Sequence, residues 1–203
     1  MHSTTKALWL VATAILSLSC HRKTDRELFR DYCESLKRIP VPLSFYCGEG
    51  LEPIDPATLD TSLVNRFKPE VDDIVGRLFP EDEAVSILYG NAGDTFYPWI
   101  YTYTQEGRPI DTLYVGGICA GDVGYLAVSA TRIDTDRTIT ICDTITTIRV
   151  DEYETEVPGS DSTFVQTARY RLEHSGHCTA LEHSRTFLPK PFTRNLTAAT
   201  HEP

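Results

Sequence analysis

Between Ala84 and Glu182 the chain reads as a succession of short apolar runs with strand periodicity, separated by tight polar turns. The runs are Ala84–Tyr89, Tyr97–Thr104, Pro109–Val115, Gly124–Ile133, Thr138–Val150, Thr163–Glu173 and Cys178–Glu182. Trp99, Tyr101 and Tyr103 alternate with Ile100, Thr102 and Thr104, and Ile139, Ile141 and Ile145 keep one parity along a Thr-rich run. A two-residue period puts alternate side chains on one buried face of a sheet. The connections Gln105-Glu106-Gly107-Arg108, Asp134-Thr135-Asp136-Arg137 and His174-Ser175-Gly176-His177 are short enough for hairpins, and successive hairpins build an antiparallel meander.

The residues before this region have helical spacing. Leu28, Phe29, Tyr32, Cys33 and Leu36 form one stripe within Thr24–Ile39, with Thr24 or Asp25 as cap and Pro40 and Pro42 as terminators. Val41–Tyr46 reads as a short strand running into the turn at Cys47-Gly48-Glu49-Gly50. Two further helices are expected over Pro56–Phe67, capped by Asp55, and over Pro69–Leu78, where Val71, Ile74, Val75 and Leu78 make the stripe. The expected fold class is therefore α+β and β-dominated, with short N-terminal helices packed on an antiparallel β-meander. A single domain over residues 24–188 would precede a flexible tail at 189–203.

The N-terminus has the layout of a signal peptide over residues 1–19. Lys6 is followed by the uncharged run Ala7–Leu18, which is shorter than the about 20 apolar residues a spanning helix needs. It stops at Ser17-Leu18-Ser19-Cys20, followed at once by His21-Arg22-Lys23. Cleavage before Cys20 would leave residues 20–23 as anchor and linker.

Charge and cysteine content narrow the partners. The chain has 29 acidic and 19 Lys or Arg residues, a net charge of −10, and its basic cluster at Arg22, Lys23 and Arg26 adjoins the anchor, so nucleic acid is not an expected partner. Six cysteines are present, Cys20, Cys33, Cys47, Cys119, Cys142 and Cys178, without C-x-x-C spacing. Acylation of Cys20 leaves an odd number. The pair expected to bond is Cys33 with Cys47, because Pro40, Pro42 and Gly48 let the chain double back over a short loop, worth about 3 kcal/mol in the chain-entropy model. The alternative is that both are buried small hydrophobes.

Several groups carry side chains suited to chemistry. His174, His177, Cys178 and His183 offer nitrogen and sulfur donors, but they straddle a turn and its return strand, so no metal site is expected. Asp134, Asp136 and Asp143 invite a calcium reading, yet such sites take about six to eight oxygens, and the first two residues suit a hairpin turn. The acidic runs Glu81-Asp82-Glu83 and Asp151-Glu152 with Glu154 and Glu156 read as solvated strand ends. No nucleophile elbow, His-Glu-x-x-His helix or phosphate-cradling glycine loop is present, so no catalytic residue and no cofactor is assigned. Tyr97, Trp99, Tyr101 and Tyr103 could form a carbohydrate or peptide surface, but alternation on a strand favours core packing.

Leu16-Ser17-Leu18-Ser19-Cys20 resembles a relaxed form of the bacterial lipobox, in which the cysteine carries lipid. With Ile39-Pro40-Val41-Pro42-Leu43-Ser44-Phe45 and the turns at Ile110-Asp111-Thr112-Leu113 and Ile133-Asp134-Thr135-Asp136, the mature chain resembles small envelope lipoproteins of the Bacteroides group. That resemblance implies membrane attachment through lipid on Cys20 and a non-catalytic role in binding or scaffolding an envelope protein or glycan. A carbohydrate-binding module, and an enzyme with residues dispersed over the sheet, are the alternatives. His21-Arg22-Lys23 favours a periplasm-facing position. The same group adds O-glycans at motifs that Asp111-Thr112-Leu113, Asp143-Thr144-Ile145 and Asp161-Ser162-Thr163 resemble; the last, after Pro158-Gly159-Ser160, is expected in an exposed loop.

Overall fold

The computed structural model describes residues 23–71, 73–80, 83–91 and 96–189; the expected leader, Cys20 and the tail from residue 190 lie outside them. The fold is β-dominated α+β with antiparallel sheets, as the alternation requires.

The first helix, α1 (Asp25–Ser35), opens on a capping box in which the Thr24 side chain accepts the Glu27 N–H and the Glu27 carboxylate accepts the Thr24 N–H. Phe29, Tyr32 and Cys33 are its buried face. It ends before Ile39 because the following residues leave the helix to run beside a strand: the Ile39 N–H donates to the Arg77 carbonyl and the Arg77 N–H to the Lys37 carbonyl, both at 2.9 Å. The helix expected over Pro56–Phe67 is two pieces, a 3₁₀ turn (Pro56–Thr58) and α2 (Thr61–Phe67). Asp60 separates them by accepting the N–H groups of Ser62 and Leu63 as a new N-cap.

The helix expected over Pro69–Leu78 is instead a strand, β2 (Asp73–Leu78). Its helix-like spacing has a different origin. The pairing register shifts between Ile74 and Gly76, so Ile74 packs toward the helices while Val75 and Leu78 pack toward the other sheet. A bulge on a strand buried on both faces thus imitates the i, i+3, i+4 pattern. Gly76 sits at φ +152°, and a Cβ there would stand 2.6 Å from the Lys37 carbonyl oxygen.

The remaining strands are β1 (Leu43–Tyr46), β3 (Val85–Asn91), β4 (Tyr97–Tyr103), β5 (Pro109–Tyr114), β6 (Ala120–Asp122), β7 (Tyr125–Ile133), β8 (Thr138–Thr147), β9 (Ser162–Leu172) and β10 (Cys178–Phe187). They form two sheets where one meander was expected. The first has the order β2-β3-β4-β5; the second has β1-β7-β8-β9-β10, with β6 also paired to β7. The three expected hairpins join β4 to β5, β7 to β8 and β9 to β10. Ser162 of the favoured glycan motif opens β9 opposite Thr147, a paired strand position where an exposed loop was expected.

The sheets face one another across Val75, Leu78, Leu88 and Ile100 on one side and Phe45, Ile133, Ile139 and Leu172 on the other. The outer face of the first sheet is covered by the N-terminal helices, with Phe29, Tyr32 and Leu36 against Ile74, Ile87, Tyr89 and Tyr103. This three-layer arrangement buries β3 on both faces.

The expected Cys33–Cys47 bond does not form. Cys33, 2% exposed, is held between α1 and the first sheet, whereas Cys47 lies on the second sheet and is bonded to Cys119.

Candidate functional site

Strands β9 and β10 are longer than any strand of the first sheet, so that sheet covers only one end of their hairpin. Past the covered end, register places Asp143 of β8, Gln166 of β9 and Arg185 of β10 in one row across three strands. Beside it runs a second row, Ile141, Ala168 and His183. Ala168 is the smallest of these side chains, and the hollow above it is the floor of a cleft of about 620 Å³. Leu113 and Tyr114 at the end of β5, with Gly117 and Ile118 of the next loop, form its opposite wall.

Each polar group of the cleft is held in place. The Arg185 guanidinium lies 4.3 Å over the Phe164 ring and donates to Gln166 Oε1 at 2.7 Å. His183 meets Tyr170 edge-on at 5.7 Å, with Nε2 3.4 Å from the phenol oxygen. Asp143 Oδ1 accepts the Ile118 N–H at 3.0 Å. The loop passes so close to Asp143 that a Cβ on Gly117 would stand 1.8 Å from Ser129 Oγ and 2.4 Å from Asp143 Oδ1, and φ at Gly117 is +63°. Ser129 is buried, and its Oγ has no hydrogen-bond partner among the described residues. Tyr114 folds over the same loop, donating to the Gly117 carbonyl at 3.0 Å, and burial raises its phenol above the ordinary value.

The loop is also fastened covalently. Cys119, two residues beyond Gly117, is bonded to Cys47.

Of the residues considered in the sequence as metal ligands or acidic groups, Asp143 and His183 line this cleft and the others do not. His174 and His177 sit in the turn of the β9–β10 hairpin, and the Cys178 N–H donates to Asp111 Oδ2 at 2.9 Å. Among the described residues no group of three or more His, Cys, Asp or Glu is placed to hold a metal ion. Asp134 accepts from Arg132 Nε and Asp136 from the Thr138 amide, both within turn chemistry. Asp151 likewise accepts the N–H groups of Tyr153 and Thr155. Core packing holds for Tyr103, buried against Phe29; Tyr101, edge-on to Tyr89, and Trp99, against Tyr114, are half-buried, and Tyr97 is 41% exposed.

A last strand ending at Glu182 leaves out Arg185, whereas Gln166 and Ala168 lie on an expected strand and carry no chemical signal in their residue types. The alternation continues through His183, Arg185 and Phe187, and following it would have placed Arg185 on the cleft face.

A carboxylate and a guanidinium at opposite ends of a polar row, beside an apolar wall, suit selective binding. Among the described residues the partner of the His183 ring is a phenol rather than a serine or cysteine nucleophile. No helix among the described residues is long and apolar enough to cross a membrane. Neither family models, curated proteins nor solved structures give a match to this chain.

Proposed function

We propose that the chain is a lipid-anchored lipoprotein of the bacterial envelope, of the type found in the Bacteroides group, held through Cys20, facing the periplasm and binding an envelope component in the cleft without transforming it. The observation that carries this reading is the Cys47–Cys119 bond. Disulfides persist in oxidising compartments outside the cytoplasm, and this one fixes the loop that forms the cleft wall. Lipid on Cys20 with two or more acyl chains satisfies the requirement for stable membrane attachment.

The placement of the helix supports the same reading. Arg26 at the start of α1 lies with Ser175 and Gln105 around one surface depression, so the described chain begins beside the turn of the β9–β10 hairpin, the end at which an anchor on Cys20 would attach. Gln166 and Arg185 stand about 20 Å further along those strands at their usual rise. The binding groups would then point away from the lipid surface.

The test is the mass of the mature N-terminus together with membrane fractionation of wild type and Cys20→Ala. Acylated Cys20 as first residue, and loss of membrane attachment in the variant, are expected. An unacylated N-terminus at another residue overturns the reading.

A further inference from the structure

We infer that the cleft binds a short peptide by its two free ends, the α-ammonium at Asp143 and the carboxylate at Arg185. The inference rests on the cleft being the binding site proposed above and names its ligand.

Asp143 and Arg185 flank Gln166 on successive strands, so their Cα atoms are about 10 Å apart, two strand spacings. An extended chain covers about 3.3–3.6 Å per residue. The Arg185 guanidinium reaches back over β9 to Gln166 and Phe164, so the charged groups stand closer together than the Cα atoms, and a peptide of two or three residues is the length that fits between them.

The two ends have complementary chemistry. Arg185 has no acidic partner among the described residues, and Phe164 and Gln166 already fix its plane. A planar guanidinium held this way offers its remaining N–H groups to a carboxylate as a fork. At the other end Asp143 Oδ1 is taken by the Ile118 amide, while Oδ2 has no hydrogen-bond partner among the described residues. The close passage of Gly117 keeps that carboxylate from turning away. Opposite charges at this separation select a molecule that carries both.

The space between them fits a peptide body. Leu113, Ile118 and Ile141 give apolar contact for its side chains, and Ala168 leaves depth beneath it. Gln166, His183 and Tyr170 stand within the same cleft as partners for its amide groups. An acidic sugar would use Arg185 but would leave the Asp143 carboxylate without a cation.

The experiment is calorimetric titration of the full chain in detergent with trialanine, N-acetyl-trialanine, trialanine amide and the doubly blocked peptide, with glucuronate as a comparison probe. Saturable binding of trialanine is expected, weakened roughly tenfold or more by blocking either end, the usual scale for one charge-assisted hydrogen bond. Asp143→Asn retains the acceptor for the Ile118 amide and should lose only the preference for a free N-terminus. Arg185→Gln should lose only the preference for a free carboxylate. Ala168→Leu, which fills the floor, should remove binding while thermal unfolding stays as in wild type. Equal binding of free and doubly blocked peptide overturns the inference. Glucuronate bound with Arg185→Gln sensitivity, and trialanine not bound, overturns the peptide and keeps a binding cleft. If a folded chain binds neither, the inference falls, and the anchoring proposal is judged separately by its N-terminal mass.

Discussion

Cys47 and Cys119 splice two short strands end to end. Strand β1 pairs with β7 up to Tyr46 opposite Ala130, and β6 takes up the pairing at Ala120 opposite Ala127. Between them the Cys47 N–H donates to the Ser129 carbonyl at 2.9 Å, and the bonded cysteines have Cα atoms 5.6 Å apart. Segments distant in the chain thus act as one composite strand along β7, and the covalent bond closes the joint beside the cleft.

Replacing both cysteines, Cys47→Ser with Cys119→Ser, should destabilise the fold by about 4 kcal/mol in the chain-entropy model for a separation of 72 residues. Urea unfolding of variant and wild type measures it, and reduced wild type should unfold like the variant. Coincident curves for oxidised and reduced protein would mean that the bond contributes nothing.

The same bond marks where sequence reading stops. Hairpins at Gln105–Arg108, Asp134–Arg137 and His174–His177 were legible because turn residues and period-two alternation are local. The pairing of β1 with β7 is not local, and it brings Cys47 to Cys119 rather than to Cys33. Loop length favoured Cys33, but the first sheet stands between the helix layer and the sheet that carries Cys47. The misreading of β2 has a related cause, since burial on both faces with a bulge at Gly76 erases alternation. In the cleft, Asp143 and His183 stood out by residue type, whereas Ala168 matters for being small and only register reveals it.

Three buried tyrosines make the fold sensitive to alkali. Tyr32 and Tyr89 meet hydroxyl to hydroxyl at 3.1 Å, and Tyr103 donates to Tyr89 at 3.4 Å. Burial pushes the Tyr32 phenol up to about 12 and raises Tyr89 and Tyr103 as well. The nearby Cys33 thiol is also pushed up to about 12 by burial. Groups with raised values in the fold stabilise fully below their unfolded values, about 8.5 for cysteine and about 10 for tyrosine. That stability is lost as pH climbs through the folded values. The urea midpoint should therefore begin to fall above about pH 8.5 and fall more steeply above about pH 10. Tyr89→Phe removes the shared partner and should cost about 1–3 kcal/mol at neutral pH.

Gly117→Ala should damage the cleft wall. The substitution places a Cβ 1.8 Å from Ser129 Oγ at a φ of +63°, so the loop must shift away from Asp143. A cost of about 1–3 kcal/mol is expected for the left-handed backbone alone. The Ile118 amide signal should move in NMR spectra as its bond to Asp143 breaks. An unchanged melting temperature and an unmoved Ile118 signal would show that the loop does not approach as closely as described.

Thiol labelling tests the layer order directly. Of the free cysteines among the described residues, Cys33 is 2% exposed, while Cys142 is half-buried on β8 with Sγ 3.8 Å from Thr167 Oγ1. Burial pushes the thiols of Cys33 and Cys178 up to about 12, which leaves little thiolate to react at pH 8. Iodoacetamide on the folded, unreduced chain should modify Cys142 first and Cys178 far more slowly. Cys33 should react only as fast as α1 leaves the first sheet, because its sulfur is covered from both sides. Cys47 and Cys119 should appear together as one disulfide-linked peptide pair after digestion. Labelling of Cys119 with Cys33 protected in a bond to Cys47 would reverse the assignment, and with it the placement of the helices on the far side of the first sheet.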